Sequence, residues 1–466
     1  MNQLTTTPAF ARPAFVAAAE AEFQAFLLAH PEIDYFDAVI VDICGILRGK
    51  RMGIAEAAKI FESGMQIPES IYLMDARGEM TDVYGHGYGD GDPDSTAWPL
   101  PGTLTPVWGE NPPRAQILTS LRDEDGVPFI GEPRAALDAV VERFAEAGLT
   151  PVTAMELEFY LLDQSRDELG QPQPPRCPRT GLRETEPSVY GLDDLDRYHN
   201  FLNALAEAAQ AQNLPLTATS KEYAPGQFEA NLRHQPDARL SADHVVFLKQ
   251  VVKAAARSCG FEATFMAKPF PNRSGSGLHV HVSVLDAAGN NIFDNGTREG
   301  ADALRHAISG LQDLMPESMA LFAPNTNSYR RFQPDMFAPA NRSWGINNRS
   351  TGLRIPIGPN EARRVEHRVA GVDANPYLVL ASVLAGVHYG LEHKRDPGPA
   401  ATGNVSREPD PAIALNIDDA LTRLFQAKNL ASYLGPELIS LYRETKRVEA
   451  VRFRKIISAA EYDWYL

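Results

Sequence analysis

Cysteine is scarce in this 466-residue sequence: Cys44, Cys177 and Cys259 are scattered, odd in number and without metal-ligand spacing. They suggest neither a disulfide framework nor a cysteine metal site, and a reducing, cytoplasmic compartment is expected. Positive charge is in deficit too. The formal net charge of −16 argues against nucleic acid or an anionic membrane surface as a partner. No apolar run approaches the roughly 20 residues that span a bilayer. The N-terminus has no basic region ahead of an apolar core, so no signal peptide is expected. The Gly-x-x-x-x-Gly-Lys-Ser/Thr loop and the dinucleotide glycine pattern are both missing, so any nucleotide is held in another way. What remains is an ordinary globular composition, 44% hydrophobic and 22% charged, in a chain long enough for two domains.

Apolar spacing predicts an amphipathic helix over Pro13–Ala29. A strand over Phe36–Ile46 follows, with Arg48-Gly49-Lys50-Arg51 at its exposed end. The Gly-, Pro- and Asp-rich stretch Tyr84–Pro113 reads as long loops, and Ala115–Leu121 as a strand. Helix signals over Glu132–Ala147 place a domain boundary near Gly131, giving domains 1–130 and 131–466. Beyond it, strands are expected at Val152–Leu162, Phe228–Leu232, Phe265–Ala267, Leu278–Leu285 and Val365–Val369. Helices are expected at Leu192–Gln212, Ala242–Ser258, Gly300–Met315 and Asn375–Leu391, and a low-order insertion at Asp396–Pro411. The fold class is α+β with a mostly antiparallel sheet, because clean polar/apolar alternation implies one wetted face.

Those strands carry charge on their polar faces. In Met155-Glu156-Leu157-Glu158-Phe159 the two glutamates share one face, about 6.6 Å apart at strand rise. Like charges so placed are solvated or bound to a cation, and either reading fits this segment alone. His279, His281 and Ser283 share a face of the next patterned strand, after Gly275-Ser276-Gly277, where backbone can approach a ligand closely. Glu229 lies between Gln227 and Asn231, with Glu222 seven residues earlier, and Arg364 and Arg368 flank Glu366. Arg330, Arg331, Arg342, Arg349 and Arg354 sit among Gly, Asn and Pro, as in carboxylate or phosphate recognition. Any one of these is equally a solvated charge. Together, oxygen-rich sites with an occasional imidazole suit Mg²⁺ or Mn²⁺. Two such ions beside arginines suit phosphoryl transfer from a nucleotide.

In this order the segments resemble the bacterial-type glutamine synthetase family, including its glutamate–amine and glutamate–polyamine ligases. The resemblance runs from about Phe36 to the C-terminus. It is carried by Met-Glu-Leu-Glu-Phe, Glu-Tyr-Ala-Pro-Gly-Gln-Phe-Glu, Gly-Ser-Gly-Leu-His-Val-His-Val-Ser, Asn-Ser-Tyr-Arg-Arg, Asn-Arg-Ser-Thr-Gly-Leu-Arg-Ile-Pro and Arg-Arg-Val-Glu-His-Arg. It implies an N-terminal β-grasp domain, a catalytic domain with a curved antiparallel sheet, ATP as co-substrate, and two or more Mg²⁺ or Mn²⁺ ions. It further implies a dodecamer of two hexameric rings whose sites are completed by the neighbouring subunit. By motif position, Glu158, Glu222 and Glu229 would hold one metal, and Glu156, His279 and Glu366 the other. His281, Ser283, Arg349, Arg354 and Arg364 would face ATP, while Gly275, Arg331 and Arg368 would contact L-glutamate. Arg331, Arg349 and Arg354 would act on the reacting groups.

The chain departs from the ammonia-using members where ammonium binds. Phe337 stands where a flap glutamate is expected, and Pro68 where an aspartate is, although a one-residue slip offers Glu69. A phenylalanine there makes the amine pocket more apolar and suits an alkyl or aryl amine. A packing role for Phe337, with Asp335 as the base, is the alternative. Ser274 replaces a frequent Asn, and Asp396–Lys428 holds no tyrosine for adenylylation. A second ammonium of a diamine would want an acidic partner such as the Asp90, Asp92, Asp94 loop. The expected activity is therefore ATP-dependent ligation of the glutamate γ-carboxyl to a polyamine or monoamine. The alternatives are an ammonia-dependent glutamine synthetase and a catalytically silent regulatory or structural relative.

Overall fold

In the computed structural model, which describes residues 12–408 and 410–466, two sheets account for all the strands. The signal-peptide reading concerns residues 1–11 and lies outside the described residues, as does Pro409 in the expected insertion. Helix α1 (Val16–Ala29) precedes β1 (Tyr35–Val41), β2 (Leu47–Gly53), α2 (Ile54–Ser63), β3 (Met65–Pro68), β4 (Asp94–Pro99), β5 (Thr105–Val107) and β6 (Arg114–Arg122). Their order in the first sheet is β2-β1-β6-β4-β3, with β5 on β6, and only β1 and β6 run parallel.

Two sequence expectations change here. Phe36–Ile46 is not one strand but β1 and a turn into β2, because the buried Asp42 carboxylate accepts from the N–H groups of Cys44 and Ile46 and folds the chain back. The Arg48–Arg51 run therefore lies within β2. Tyr84–Pro113 is not all loop: β4 is buried between β6 and β3, so sheet pairing overrides its proline content.

The remainder is α3 (Pro133–Glu146), β7 (Thr150–Asp163), α4 (Leu192–Arg197), α5 (His199–Ala211), β8 (Leu216–Lys221), β9 (Gln227–Leu232), α6 (Ala238–Ser258), β10 (Phe261–Thr264), β11 (Leu278–Leu285) and α7 (Asp302–Phe322). Then come β12 (Trp344–Ile346), β13 (Leu353–Ile355), β14 (Val365–His367), α8 (Pro376–His393), α9 (Ile417–Gln426), α10 (Asn429–Leu434), α11 (Pro436–Arg454) and α12 (Ala459–Tyr465). The second sheet has the order β12-β13-β14-β11-β7-β9-β8, with β10 on β7, and is antiparallel except for β12 with β13. The long Leu192–Gln212 helix breaks at Tyr198, and Phe265–Ala267 lies just past β10 rather than in it. Helix α7 runs through Pro316 because its last turns are buried, and that burial outweighs one lost backbone bond. The fold is α+β, with helices on one face of the curled second sheet and the polar face left for chemistry.

The two parts are tied at buried contacts. Asn375 caps α8 by accepting from Tyr377 and Leu378 N–H, and donates to the Asp42 carbonyl in the β1–β2 turn. Glu132, at the start of α3, accepts from Ser120 Oγ at 3.0 Å and Leu121 N at 3.2 Å on β6. Burial pushes the Glu132 carboxyl up to about 7 against the hydrogen bond from Ser120, so it folds protonated at acid pH. A raised carboxyl pKa makes the folded state less stable as pH rises from the ordinary value of 4.5 through about 7. Glu132→Gln keeps the acceptor without the charge. Its stability relative to wild type is expected to climb across that window, by up to about 3 kcal/mol above it, in denaturant melts at pH 5 and pH 8. A constant difference between the two pH values would show that Glu132 does not titrate there.

Candidate active site

Strand alternation on β7 sends Met155, Leu157 and Phe159 into the core and leaves Glu156 and Glu158 on the other face. Register then assembles the neighbours. Glu156 lies opposite His279 of β11, Glu158 opposite Glu229 of β9, and His281 opposite Glu366 of β14, which in turn faces Arg354 of β13. Glu222 arrives from the turn between β8 and β9. Four strands thus bring carboxylates and imidazoles from distant parts of the chain onto one sheet face.

Three groups there have ligand atoms within 4.8 Å of one another: Glu158 with Glu222 and Glu229; Glu156 with Glu229 and His279; Glu156 with His281 and Glu366. The first is the expected trio. For the second expected trio, His279 Nδ1 lies 3.2 Å from Glu156 and 3.9 Å from Glu366, while His281 forms the tighter set with the same two carboxylates. His281 Nε2 is 3.0 Å from Glu156 Oε1 but not aligned for a hydrogen bond, so a buried ring nitrogen faces the cluster unbonded. An orphaned imidazole nitrogen among carboxylates fits a divalent cation.

The electrostatics divide the face in two. Burial and the neighbouring carboxylates Glu156, Glu158 and Glu222 push Glu229 up to about 9, and burial together with Glu158 pushes Glu222 up to about 7. On the other side burial opposes ionisation, yet the hydrogen bond with His279 and the nearness of both His279 and His281 hold Glu156 well below the usual carboxylate range. Glu366, also buried, is brought down to about 2, chiefly by Arg368, then by the two histidines and Arg354. Carboxylates crowded and buried in this way are stabilised in their charged form by a divalent cation.

Beside this face opens a cavity of about 730 Å³. Glu156, Glu158, Glu222, Glu229, His279, Glu366, Gly275, Arg331, Arg349, Arg354, Arg368 and Phe337 all line it. His281, Ser283 and Arg364 are not among the lining residues; Arg364 Nε donates to His281 Nδ1 at 3.2 Å behind the cluster, and Ser283 lies one residue pair further along β11. Arg354 and Arg368 converge on Glu366, the former at 2.7 Å. Arg331, Arg354 and Arg368 each bury an Nε–H without a protein partner, and their guanidiniums give this wall a positive charge suited to an anion. Gly275 is required by this crowding, because a Cβ there would meet Arg331 Cγ at 2.0 Å. Gln227 Nε2 and Tyr160 Oη fix the Ser274-Gly275 backbone through its carbonyls at 3.0 and 2.6 Å.

The opposite wall is loop. Phe337 is 61% exposed, projects from Gln333–Pro339, and lines the cavity with Asp335, Met336 and Ala338. Asp335, the alternative base, is paired with Arg407 at 2.8 Å and held by Asn404, contacts that keep its carboxyl below the usual range. Val189, Tyr190 and Tyr223 complete the wall. Sequence reasoning missed these three, since loop residues show no periodicity; the Pro-, Ser- and Gly-bounded Val189-Tyr190 is the one signal available. Pro68 and Glu69 lie at the far end of β3, where Glu69 accepts from Ser95 Oγ, and the Asp90–Asp94 stretch leads into the neighbouring β4; neither lines this cavity.

The family profile described as glutamine synthetase, catalytic domain, matches residues 130–465. The chain is 40% identical over 445 residues to gamma-glutamylputrescine synthetase PuuA of Escherichia coli (strain K12), covering 96% of this chain and 94% of that one. It is 32% identical over 445 residues to glutamate–isopropylamine ligase of a Pseudomonas species, covering 93% and 95%. A solved GmaS/ADP complex superposes with a TM-score of 0.81 at 26% identity, over 95% of this chain and 98% of that one.

The cluster gives a direct test by thermal melting at pH 8. Mg²⁺ or Mn²⁺ should raise the melting temperature of the wild type, a gain worth about 2.7 kcal/mol at one hundred times Kd. Glu229→Gln should melt no lower than wild type without metal, because it removes a crowded buried carboxyl, and should lose most of the metal-induced gain. A variant that responds to metal like the wild type would remove Glu229 from the ligand set.

Proposed function

The chain belongs to the glutamine synthetase family, and we propose that it joins the γ-carboxyl of L-glutamate to an organic amine, using ATP. The observation that carries this reading is one cavity with two unlike walls. One is a sheet face of carboxylates, imidazoles and guanidiniums; the other is an apolar loop carrying Phe337. Relatives named for putrescine and isopropylamine ligation support an amine as the acceptor.

In this reading Glu158, Glu222 and Glu229 hold one divalent cation, while Glu156, Glu366 and His279, with His281 within reach, hold a second. Such ions supply Lewis acidity and neutralise phosphate charge. Gly275, Arg331 and Arg368 orient glutamate, and the unpaired guanidinium N–H groups receive its oxygens. Arg349, Arg354 and Arg364, with His281 and Ser283, face the nucleotide and the transferring phosphoryl group. The γ-carboxylate oxygen attacks the γ-phosphorus of ATP, giving γ-glutamyl phosphate and ADP. The amine, as its free base, then attacks the glutamyl carbon, phosphate leaves with the electrons of the C–O bond, and the nitrogen releases one proton. Because water competes for that carbon, the wall formed by Met336, Phe337, Tyr190 and Tyr223 matters to yield as well as to amine choice.

The assembly is a homo-oligomer, a dodecamer of two hexameric rings. A cavity walled by loops, with Pro68 and Glu69 outside the chain's own site, supports completion by a neighbouring subunit. Among the described residues no helix is long and apolar enough to cross a membrane. ATP as co-substrate and three unpaired cysteines support a cytoplasmic location in amine or polyamine catabolism.

Phosphate release with Mg²⁺, ATP and glutamate is the test, run across ammonium, ethanolamine, putrescine, spermidine, isopropylamine, phenethylamine and aniline. One organic amine should exceed ammonium in kcat/KM, with the γ-glutamyl amide seen by mass; ammonium as the best acceptor, or silence throughout, overturns the proposal. Phe337→Glu should lower kcat/KM for the preferred amine by about tenfold and raise it for ammonium. Unchanged ratios would mean that Phe337 does not meet the amine.

A further inference from the structure

The apolar wall is held in an unfavourable backbone shape. Asp335 and Phe337 have φ of +63° and +50°, and Tyr190 in the same wall has φ of +55°, a region that bulky L side chains seldom adopt. Left to itself, the Gln333–Pro339 loop would relax and the Phe337 ring would leave the cavity mouth. Something outside the loop therefore fixes it.

That something is the chain around residues 401–407. Asp335 Oδ1 accepts from Asn404 Nδ2 at 2.9 Å and Arg407 Nε at 3.0 Å, and Asp335 Oδ2 lies 2.8 Å from Arg407 Nη2. The Asp335 N–H donates to Ser406 Oγ at 3.2 Å, and Ser406 Oγ donates to Asn404 Oδ1 at 2.7 Å. The same strap is moored to the segment that carries the cavity-lining Arg349. Asn348 Nδ2 donates to the Gly403 carbonyl at 2.9 Å, and Val405 N to Ser350 Oγ at 3.1 Å, on either side of the cavity-lining Arg349. Ala401 N adds a bond to the Trp344 carbonyl at 2.7 Å. The strap thus joins the amine-facing loop to the loop that presents an anion-binding arginine.

An exposed ion pair adds little to global stability, which leaves positional control as its use. We propose that Arg407 is a positioning residue for the amine subsite: through Asp335, with Asn404 and Ser406, it holds the Phe337 loop over the cavity, sets which amine fits, and keeps water from the activated glutamyl carboxyl. The proposal rests on the amine-ligase reading above and assigns to this segment a role in specificity.

Arg407→Ala and Arg407→Lys are compared with wild type for the KM of the amine, the KM of ATP and of glutamate, and phosphate released without amide formed. Arg407→Ala should raise the amine KM by about tenfold and increase the uncoupled phosphate release severalfold. KM for ATP and glutamate and the melting temperature should stay as in wild type. Arg407→Lys, which keeps the charge but loses the fork, should fall between. An Arg407→Ala enzyme with unchanged amine KM and unchanged coupling overturns the proposal; so does a loss spread equally over all three substrates, which would mark a merely structural role. If the wild type turns over ammonium and no organic amine, the amine-ligase reading fails by itself. The strap is then judged by the same KM split and the same leak with ammonium.

Discussion

Like charge crowded onto one sheet face is the constraint on which the structure depends. Glu156, Glu158, Glu222 and Glu229 approach one another because the β7–β9 and β7–β11 registers leave them no other place. Burial and mutual repulsion push the Glu222 and Glu229 carboxyls up, while histidine and arginine surround Glu156 and Glu366 and hold theirs down. Cations relieve the crowding, and they bring with them an affinity for phosphate. Arginines with buried N–H groups that no protein atom pairs line the same site, where the proposed substrates would bring carboxylates and phosphates.

The rest of the fold makes that face rigid. Met155, Leu157 and Phe159 anchor β7 from behind, where helices α3 and α6 pack on β7 and α8 on β11, with α7 against α8. Asn375 and Glu132 bind the first sheet to this core through backbone groups and a hydroxyl, beside an apolar core continuous between the two parts. Precision belongs to the strands, where the reacting groups sit, and adjustability to the loops, where the amine would enter.

How much of this was legible in the sequence follows from the same division. Strand period two makes the Glu156/Glu158 and His279/His281 faces readable directly, and both strands lie where the alternation put them. That Glu222 and Glu229 join Glu158 is a matter of pairing register, which no local pattern carries; there the family resemblance supplied the grouping. The break inside Phe36–Ile46 went unread because the turn is made by a buried aspartate side chain instead of an Asn-Gly pair. Strand β4 was hidden by the glycines and prolines around it, and Tyr190 and Tyr223 by belonging to no periodic element. Phe337 was legible only as a departure from a pattern, since its exposure and left-handed backbone require coordinates.

Central to the proposed reaction is activation of the glutamate carboxyl at the charged face, before the amine reacts. Glutamate labelled with ¹⁸O in its γ-carboxylate, turned over with ATP and the preferred amine, tests this through the mass of the released phosphate. Transfer of one labelled oxygen into each phosphate is the predicted result, because the carboxylate oxygen that attacks phosphorus leaves with it. Phosphate carrying no label would show that the carboxylate never bonds to phosphorus, and would contradict the reading of the site.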